Sequence, residues 1–128
     1  MPSILVIEDN TQMRSALTRM LETSGHRVTA AANGADGLRL WREHGADLVL
    51  TDIQMPGMNG IEVMLQLRAH APMLPVLAMS GGDRSRDLDL LGTVGLLGAV
   101  GLLQKPFSLS ELNAAIAAAL QDSDQKRA

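Results

Sequence analysis

The chain carries the run ILVIED at residues 4–9, in which four apolar residues lead directly into Glu8 and Asp9. A continuous apolar run of this length is typical of a strand that is buried on both faces of a parallel sheet. Similar runs follow at residues 48–50, 76–79 and 102–103, and a weaker strand candidate lies at residues 27–31. These segments are the predicted strands of a sheet.

Between the runs, apolar residues recur at helical spacing. The first such set consists of Met13, Ala16, Leu17, Met20 and Leu21, which share one face of an amphipathic helix. Gly25 is a plausible end for this helix. Two further helices are predicted around residues 35–41 and 61–68, and Ser108 with Glu111 forms a capping box at the start of the last helix. Strands that alternate with helices predict an α/β fold, a doubly wound parallel sheet with helices on both faces.

The stretch from residue 83 to residue 101 fits this pattern less well. It should contain the fourth helix, but Gly92, Gly95 and Gly98 interrupt it. Each glycine costs about 1 kcal/mol relative to alanine in a helix interior, so we expect a short or mobile helix. We assign residues 1–120 to one domain and residues 121–128 to a short polar tail that is frayed.

Composition and charge exclude several classes of protein. The 128 residues fit one hydrophobic core, and the absence of cysteine excludes disulfides and thiol chemistry. A net charge of −3 gives no reason to expect direct DNA binding. Apolar runs are too short to span a membrane, and the first residues do not resemble a signal peptide. We therefore expect a cytoplasmic protein that contacts neither DNA nor a membrane.

Polar side chains follow the predicted strands at the carboxyl edge of the sheet, where ligands of such folds bind. They are Glu8 and Asp9 after the first strand, Asp52 after the third, Ser80, Gly81 and Gly82 after the fourth, and Lys105 and Pro106 after the fifth. Three adjacent carboxylates repel one another, and a hard cation such as Mg²⁺ relieves the repulsion. Lys105, Ser80 and the Gly81 amide can hold phosphate oxygens. Asp52 can then act as a carboxylate nucleophile toward a phosphoryl group.

Each of these residues also has an ordinary structural explanation. A lone Asp after a strand, such as Asp52, is usually a turn residue or a helix cap. Glu8 and Asp9 could simply begin a helix, and Lys105 could be a solvated surface charge. Because four such coincidences would have to occur at successive strand ends, we favour a functional site.

Four segments resemble the receiver domain of bacterial response regulators. They are residues 4–10, residues 50–60 with the sequence LTDIQMPGMNG, residues 79–81 and residues 105–107. The resemblance covers essentially the whole chain and is closest in character to single-domain regulators of the chemotaxis type. It implies a flavodoxin-like fold with five parallel strands in the order 2-1-3-4-5 and five helices.

The resemblance also implies a metal site and a phosphate site. Asp52 would be the phosphoacceptor and a ligand of Mg²⁺, or of Mn²⁺ in its place. Asp9 would bind the ion directly, Glu8 through water, and Gln54 through its backbone carbonyl. The phosphate site would consist of the ammonium of Lys105, the amide of Gly81 and the hydroxyl of the switch residue Ser80. The bond from Lys105 to Pro106 would be cis, and Gly82 would leave the acyl phosphate unshielded from water.

The implied function is that of a phosphoacceptor in a two-component system. A sensor histidine kinase or a histidine phosphotransfer protein would donate a phosphoryl group to Asp52 in a Mg²⁺-dependent reaction. The phosphorylated domain would then switch its binding of a downstream target protein. The chain would not be an enzyme beyond its own phosphorylation and dephosphorylation. Three alternatives stay open: a phosphorelay intermediate, a phosphate sink without its own output, and a receiver fragment of a longer regulator.

The sequence departs from the family at Leu102, where an aromatic residue usually rotates inward on activation. We expect the output face to repack through Leu102 and the glycine-rich fourth helix instead. Leucines between residues 88 and 97 exceed what one helical stripe buries. The protein is therefore expected to be a monomer, or a weak dimer through the face formed by the fourth helix, fifth strand and fifth helix.

Two other protein classes fit the residues less well. Phosphatases of the haloacid-dehalogenase type carry a second Asp two residues after the nucleophile, where this chain has Gln54. A flavodoxin-like FMN carrier needs a hydroxyl-rich phosphate loop after the first strand, where this chain has Glu8 and Asp9.

Overall fold

Strands and helices alternate along the chain in the computed structural model, which describes residues 2–53, 60–81, 95 and 98–127. The elements are β1 (Ser3–Ile7), α1 (Thr11–Thr23), β2 (Arg27–Ala31), α2 (Gly34–His44), β3 (Leu48–Asp52), α3 (Gly60–His70), β4 (Val76–Ser80), β5 (Gly101–Gln104) and α4 (Leu109–Arg127). Among these described residues, no helix is both long enough and apolar enough to cross a membrane.

The five strands form one parallel sheet in the order β2-β1-β3-β4-β5. The predicted α/β fold and strand order are therefore confirmed. Ile7 at the end of β1 pairs with Thr51, and Asp52 at the end of β3 pairs with Met79. Because Ser80 at the end of β4 pairs with Gln104 of β5, these strands finish nearly level with one another. Residues that follow them are brought to one edge of the sheet.

Apolar side chains fill both faces of the sheet. All five residues of β3 and all five of β4 are buried, as a strand with helices on both faces requires. Leu5 and Ile7 of β1 belong to the cluster that includes residues of α2 and α3. Ile4 and Val6 belong to the cluster that includes residues of α1 and α4. Burial of each large side chain contributes about 1.5–3 kcal/mol, so the two clusters hold the helices in place.

Side-chain caps and a glycine define the helix ends. The side chain of Asn10 caps α1, and the side chain of Asn33 caps α2 in the same way. Ser108 and Glu111 form the predicted capping box, with a Ser108 Oγ to Glu111 N distance of 3.0 Å. Gly25 follows α1 with φ +92°, a conformation that side chains strongly disfavour.

The chain end and the stretch of the predicted fourth helix differ in how much of them the structure describes. Within the predicted polar tail at residues 121–128 the backbone is helical, because α4 continues to Arg127. The segment after Leu109 contains no Gly or Pro and is rich in alanine, so nothing in it ends the helix. The predicted fourth helix falls largely outside the described residues. Of that stretch, Gly98 has φ +88° and lies against the side chain of Arg68.

We predict that Gly37→Ala destabilises the fold. Gly37 of α2 packs directly on Ile7 of β1, and a Cβ atom at Gly37 would lie 2.7 Å from Ile7 Cγ1. Ile7 is fully buried, so its side chain can move aside only by displacing its neighbours in the core. Overpacking costs about 1–3 kcal/mol, whereas replacing glycine by alanine in a helix gains roughly 1 kcal/mol in helix propensity. The cost should therefore outweigh the gain. Urea unfolding should show a lower free energy of unfolding.

The matched control places the same substitution in an Ile7→Val background, which removes the Cδ1 atom. Because that atom is one of the two closest to the new methyl group, Gly37→Ala should cost less there than in the wild-type background. A Gly37→Ala protein at least as stable as the wild type would contradict this account of the α2–β1 contact.

Candidate functional site at the carboxyl edge of the sheet

The polar residues predicted from the sequence meet at the carboxyl edge of the sheet. Four polar or charged residues are buried in the described part of the chain, and all four lie there: Glu8, Thr51, Asp52 and Ser80. Glu8 and Ser80 are fully buried, and Asp52 is 5% exposed. Burying a carboxylate is costly unless it is paired. The concentration of such groups at one edge therefore indicates a site and not a set of turn residues.

Lys105 joins the ends of β1 and β3. Its Nζ atom donates to Glu8 Oε1 and, at 2.9 Å, to Asp52 Oδ2. Its backbone N–H donates to the carbonyl of Ser80 at 2.9 Å, which fixes the residue beside β4. The peptide bond from Lys105 to Pro106 is cis, as the family resemblance implies. One ammonium group therefore contacts two buried carboxylates that come from different strands.

Burial and charge shift the pKa values of Glu8 and Lys105 within this group. Burial raises the pKa of Glu8, the nearby Asp52 raises it further, and the hydrogen bond from Lys105 acts in the opposite direction. Burial alone would lower the pKa of Lys105, but its hydrogen bonds to Glu8 and Asp52 outweigh this and raise it. Lys105 therefore stays charged at neutral pH. The described residues thus show Lys105 paired with the carboxylates of Glu8 and Asp52, and Asp9 adds a third carboxylate to the group.

Glu8, Asp9 and Asp52 have the geometry of a cation site. One carboxylate oxygen from each residue lies within 4.8 Å of the others. Asp9 is exposed, so an ion can reach the cluster from solvent. Oxygen ligands with excess negative charge suit a hard divalent cation such as Mg²⁺, and Mn²⁺ accepts similar ligands. The residues present thus fit the implied metal, and the predicted third ligand, the carbonyl of Gln54, lies outside the described residues.

Ser80 and Gly81 lie at the end of β4, the strand beside the one that ends in Asp52. The hydroxyl of Ser80 is buried and has no hydrogen-bond partner among the described residues. An unpaired buried hydroxyl costs about 1–3 kcal/mol, so a ligand that accepts from it would be favoured. Within the part of the chain that the structure describes, no atom lies within 4 Å of a Cβ added at Gly81. Gly82 lies outside the described residues.

Gly60 fixes the backbone next to Asp52. Its N–H donates to the carbonyl of Ile53 at 2.9 Å, and the N–H of Ile53 donates to Met79 at 3.0 Å. A Cβ atom at Gly60 would lie 2.7 Å from the Cα atom of Ile53. The sequence motif ends at Gly60, but nothing in the sequence says why a glycine is needed there. The reason is this close approach between the start of α3 and the end of β3.

Leu102, the predicted switch position, pairs with Ala78 in the sheet and is half-buried. It packs against the core cluster on the α2 and α3 side. The position is thus adjacent to β4, which ends in Ser80. Its predicted role in switching stays a prediction.

A separate cavity of about 510 Å³ lies at the C-terminal ends of α2 and α3. Trp41, Arg42, Gly45 and His70 line it, and the Trp41 and His70 rings are 6.5 Å apart. Basic residues in the last turn of a helix complement its dipole, which accounts for Arg42 and His70 at these positions. The cavity contains none of the predicted site residues.

Residues 4–117 match the family model described as the response regulator receiver domain. The chain belongs to this family. It is 39% identical over 98% of its length to the transcriptional regulatory protein AfsQ1 of Streptomyces coelicolor, and it covers 54% of that protein. The chain spans about half the length of AfsQ1 and of other curated relatives that it matches.

Solved structures show the same relationship. A response regulator receiver domain protein from Clostridium thermocellum superposes with a TM-score of 0.90 at 28% identity, over 98% of each chain. The chemotaxis protein CheY4 of Vibrio cholerae superposes with a TM-score of 0.83 at 26% identity, over 93% of this chain and 98% of that one. The predicted family and fold are therefore confirmed. The expected absence of DNA binding is not confirmed, because relatives such as AfsQ1 are transcriptional regulatory proteins.

We predict that Gly60→Ala destabilises the protein by at least about 1–3 kcal/mol, since the new methyl group meets backbone atoms that cannot move aside. Gly81→Ala at the same edge is the matched control, because its methyl group would enter open space. In urea unfolding, Gly60→Ala should show a large loss in the free energy of unfolding. The same quantity should change by no more than about 0.5 kcal/mol in Gly81→Ala. Equal effects would contradict the role given to Gly60.

We also predict that Asp9→Asn raises the free energy of unfolding when EDTA removes divalent ions. The substitution removes one of three mutually repelling charges, and two charges 4 Å apart in water interact by about 1 kcal/mol. The gain should shrink in high salt, which screens the repulsion. Added Mg²⁺ should stabilise the variant less than the wild type. A loss of stability in EDTA would show that repulsion does not dominate the cluster.

Proposed function

We propose that this receiver domain accepts a phosphoryl group on Asp52 from the phosphohistidine of a sensor kinase or a histidine phosphotransfer protein. The observation that carries the proposal is the arrangement around Asp52. Its carboxylate is 5% exposed, contacts Lys105 and lies in one cluster with Glu8 and Asp9. A nucleophile held between a cation and a metal-binding pair is what phosphoryl transfer requires.

In the proposed reaction, a carboxylate oxygen of Asp52 attacks the phosphorus atom and the bond from phosphorus to the donor imidazole breaks. Lys105 holds the carboxylate in place and places positive charge beside the phosphoryl oxygens. The hydroxyl of Ser80 and the N–H of Gly81 are the hydrogen-bond donors on the other side. Mg²⁺ bound by Glu8, Asp9 and Asp52 would neutralise the negative charge that gathers on the phosphoryl group.

Phosphorylation would also change the conformation of the domain near Ser80. The phosphoryl group supplies an acceptor for the unpartnered hydroxyl of Ser80, which favours movement of Ser80 toward Asp52. Ser80 ends β4, whose neighbour β5 carries Leu102. A shift there would alter the surface around β5 that a target protein contacts.

The output of the domain has two candidate forms. A domain that catalyses only its own phosphorylation and dephosphorylation could bind a separate target, act in a phosphorelay or store phosphate. A receiver part of a longer transcriptional regulator is favoured by the relatives, since the chain covers 54% of AfsQ1. In that form DNA binding would belong to another part of the regulator.

The test is incubation with acetyl phosphate and Mg²⁺, followed by intact mass measurement. We expect the wild type to gain one phosphoryl group, and we expect no gain for Asp52→Asn or for wild type in EDTA. Lys105→Met should retain Asp52 but gain the group far more slowly. A phosphorylated histidine phosphotransfer protein serves as the second donor. No gain from either donor, or an equal gain by Asp52→Asn, would contradict the proposal.

A further inference from the structure

Arg14 occupies a position in α1 that the helix dipole disfavours for a basic residue. It is the fourth residue of α1, which has no acidic residue in its first turn. The helix dipole places partial positive charge at this end and disfavours cations there. Some compensating contact must therefore account for an arginine at this position.

The compensating contacts are with the loop that carries the acidic pair. The Nη1 atom of Arg14 donates to the carbonyl oxygen of Glu8 at 2.9 Å and to that of Asp9 at 3.4 Å. The backbone of Arg14 is itself fixed within α1, because its N–H donates to Asn10 and its carbonyl accepts from Thr18. The guanidinium thus links a rigid helix to the segment between β1 and α1.

These two carbonyls determine how Asp9 is oriented. The carbonyl of Glu8 lies in the peptide plane before Asp9, and the carbonyl of Asp9 lies in the plane after it. The two backbone torsions of Asp9 relate these planes, so holding both carbonyls limits both torsions and sets the direction of the Cα–Cβ bond. Asp9 needs this support because it is exposed, so burial does not hold its side chain.

Glu8 is supported differently. Its side chain is fully buried, accepts from Lys105, and accepts from the N–H of Asn10 at 3.3 Å. Asp9 is therefore the member of the acidic pair whose placement depends most on the backbone. Arg14 is the side chain that contacts that backbone on both sides.

We propose that Arg14 is a positioning residue for the metal site, and that its contacts with the two carbonyls keep the Asp9 carboxylate directed at Glu8 and Asp52. The inference rests on the proposed function in one respect, namely that these three carboxylates bind a divalent cation. It concerns Arg14 alone and involves no contact between Arg14 and the ion.

The charge of Arg14 has the opposite effect, which makes the inference testable. A positive charge near the cluster weakens cation binding by repulsion. If Arg14 acted only through its charge, its removal would tighten Mg²⁺ binding. If it acts by holding the backbone of Asp9, its removal weakens Mg²⁺ binding despite the loss of repulsion.

The experiment is calorimetric titration of the whole chain with magnesium chloride alone. Arg14→Met keeps the length and helix propensity of the side chain and removes its donors and charge. We expect it to weaken Mg²⁺ binding roughly three- to tenfold, the range for losing one or two hydrogen bonds. Arg14→Lys keeps a charged donor that is too short for full contact, so its affinity should lie between those of Arg14→Met and the wild type.

Arg19→Met is the matched control on the same helix. Arg19 is exposed, and among the described residues no hydrogen bond or ion pair involves its side chain. The Arg19→Met protein should bind Mg²⁺ with the same affinity as the wild type. Urea unfolding followed by the fluorescence of Trp41, the single tryptophan, verifies that each variant is folded during titration. Should Arg14→Met fail to fold, the milder Arg14→Lys variant decides by its own loss of affinity.

Unchanged or tighter Mg²⁺ binding by a folded Arg14→Met protein would overturn the inference and leave the proposed function intact. Absence of Mg²⁺ binding by the wild type would instead contradict the metal site itself, and the role of Arg14 would fall with it. Weakening of similar size in Arg19→Met would also overturn the inference, because the effect would then not depend on contacts with the backbone of Glu8 and Asp9.

Discussion

The contact of one ammonium group with two buried carboxylates is the constraint on which this site depends. Glu8 and Asp52 end neighbouring strands, and the parallel register that buries both faces of the sheet also brings these carboxylates together. Without a cation between them, their desolvation would oppose the fold. Lys105 supplies that cation from the far side of β4, so strands β1, β3 and β5 are joined at this edge by charge as well as by packing.

Close backbone approaches keep this edge rigid. Gly60 brings the start of α3 against the end of β3, and Gly37 brings α2 against Ile7, the residue before Glu8. Both glycines allow a helix to pack nearer to the sheet than any other residue would. Glycine loses more conformational entropy on folding than other residues do. The close packing it allows fixes the direction of the side chains at the strand ends. Rigid placement would matter in the proposed reaction, because the transferred group would have to meet a nucleophile and several donors at once.

The sequence predicts the fold and the membership of the site because both depend on local patterns. Apolar runs mark buried strands, and parallel topology then places the residues after them at one edge, so Asp52 and Lys105 could be brought together without a structure. The roles of Gly60 and Arg14 could not be predicted, since each depends on a contact with backbone that sequence periodicity does not encode. The extent of α4 to Arg127 was also missed, because polar composition was taken to mean fraying although no helix-breaking residue is present.

The same ammonium group explains why phosphorylation and metal binding should be coupled. In the unphosphorylated chain Lys105 compensates Glu8 and Asp52 together. A phosphoryl group on Asp52 would add negative charge and draw Lys105 toward its oxygens, which would leave the buried Glu8 short of compensation. A divalent cation held by Glu8, Asp9 and Asp52 would restore the balance. In the proposed function, the ion pairs of Lys105, the metal site and the phosphorylated state would share one set of charges, so a change at any member would shift the stability of the others.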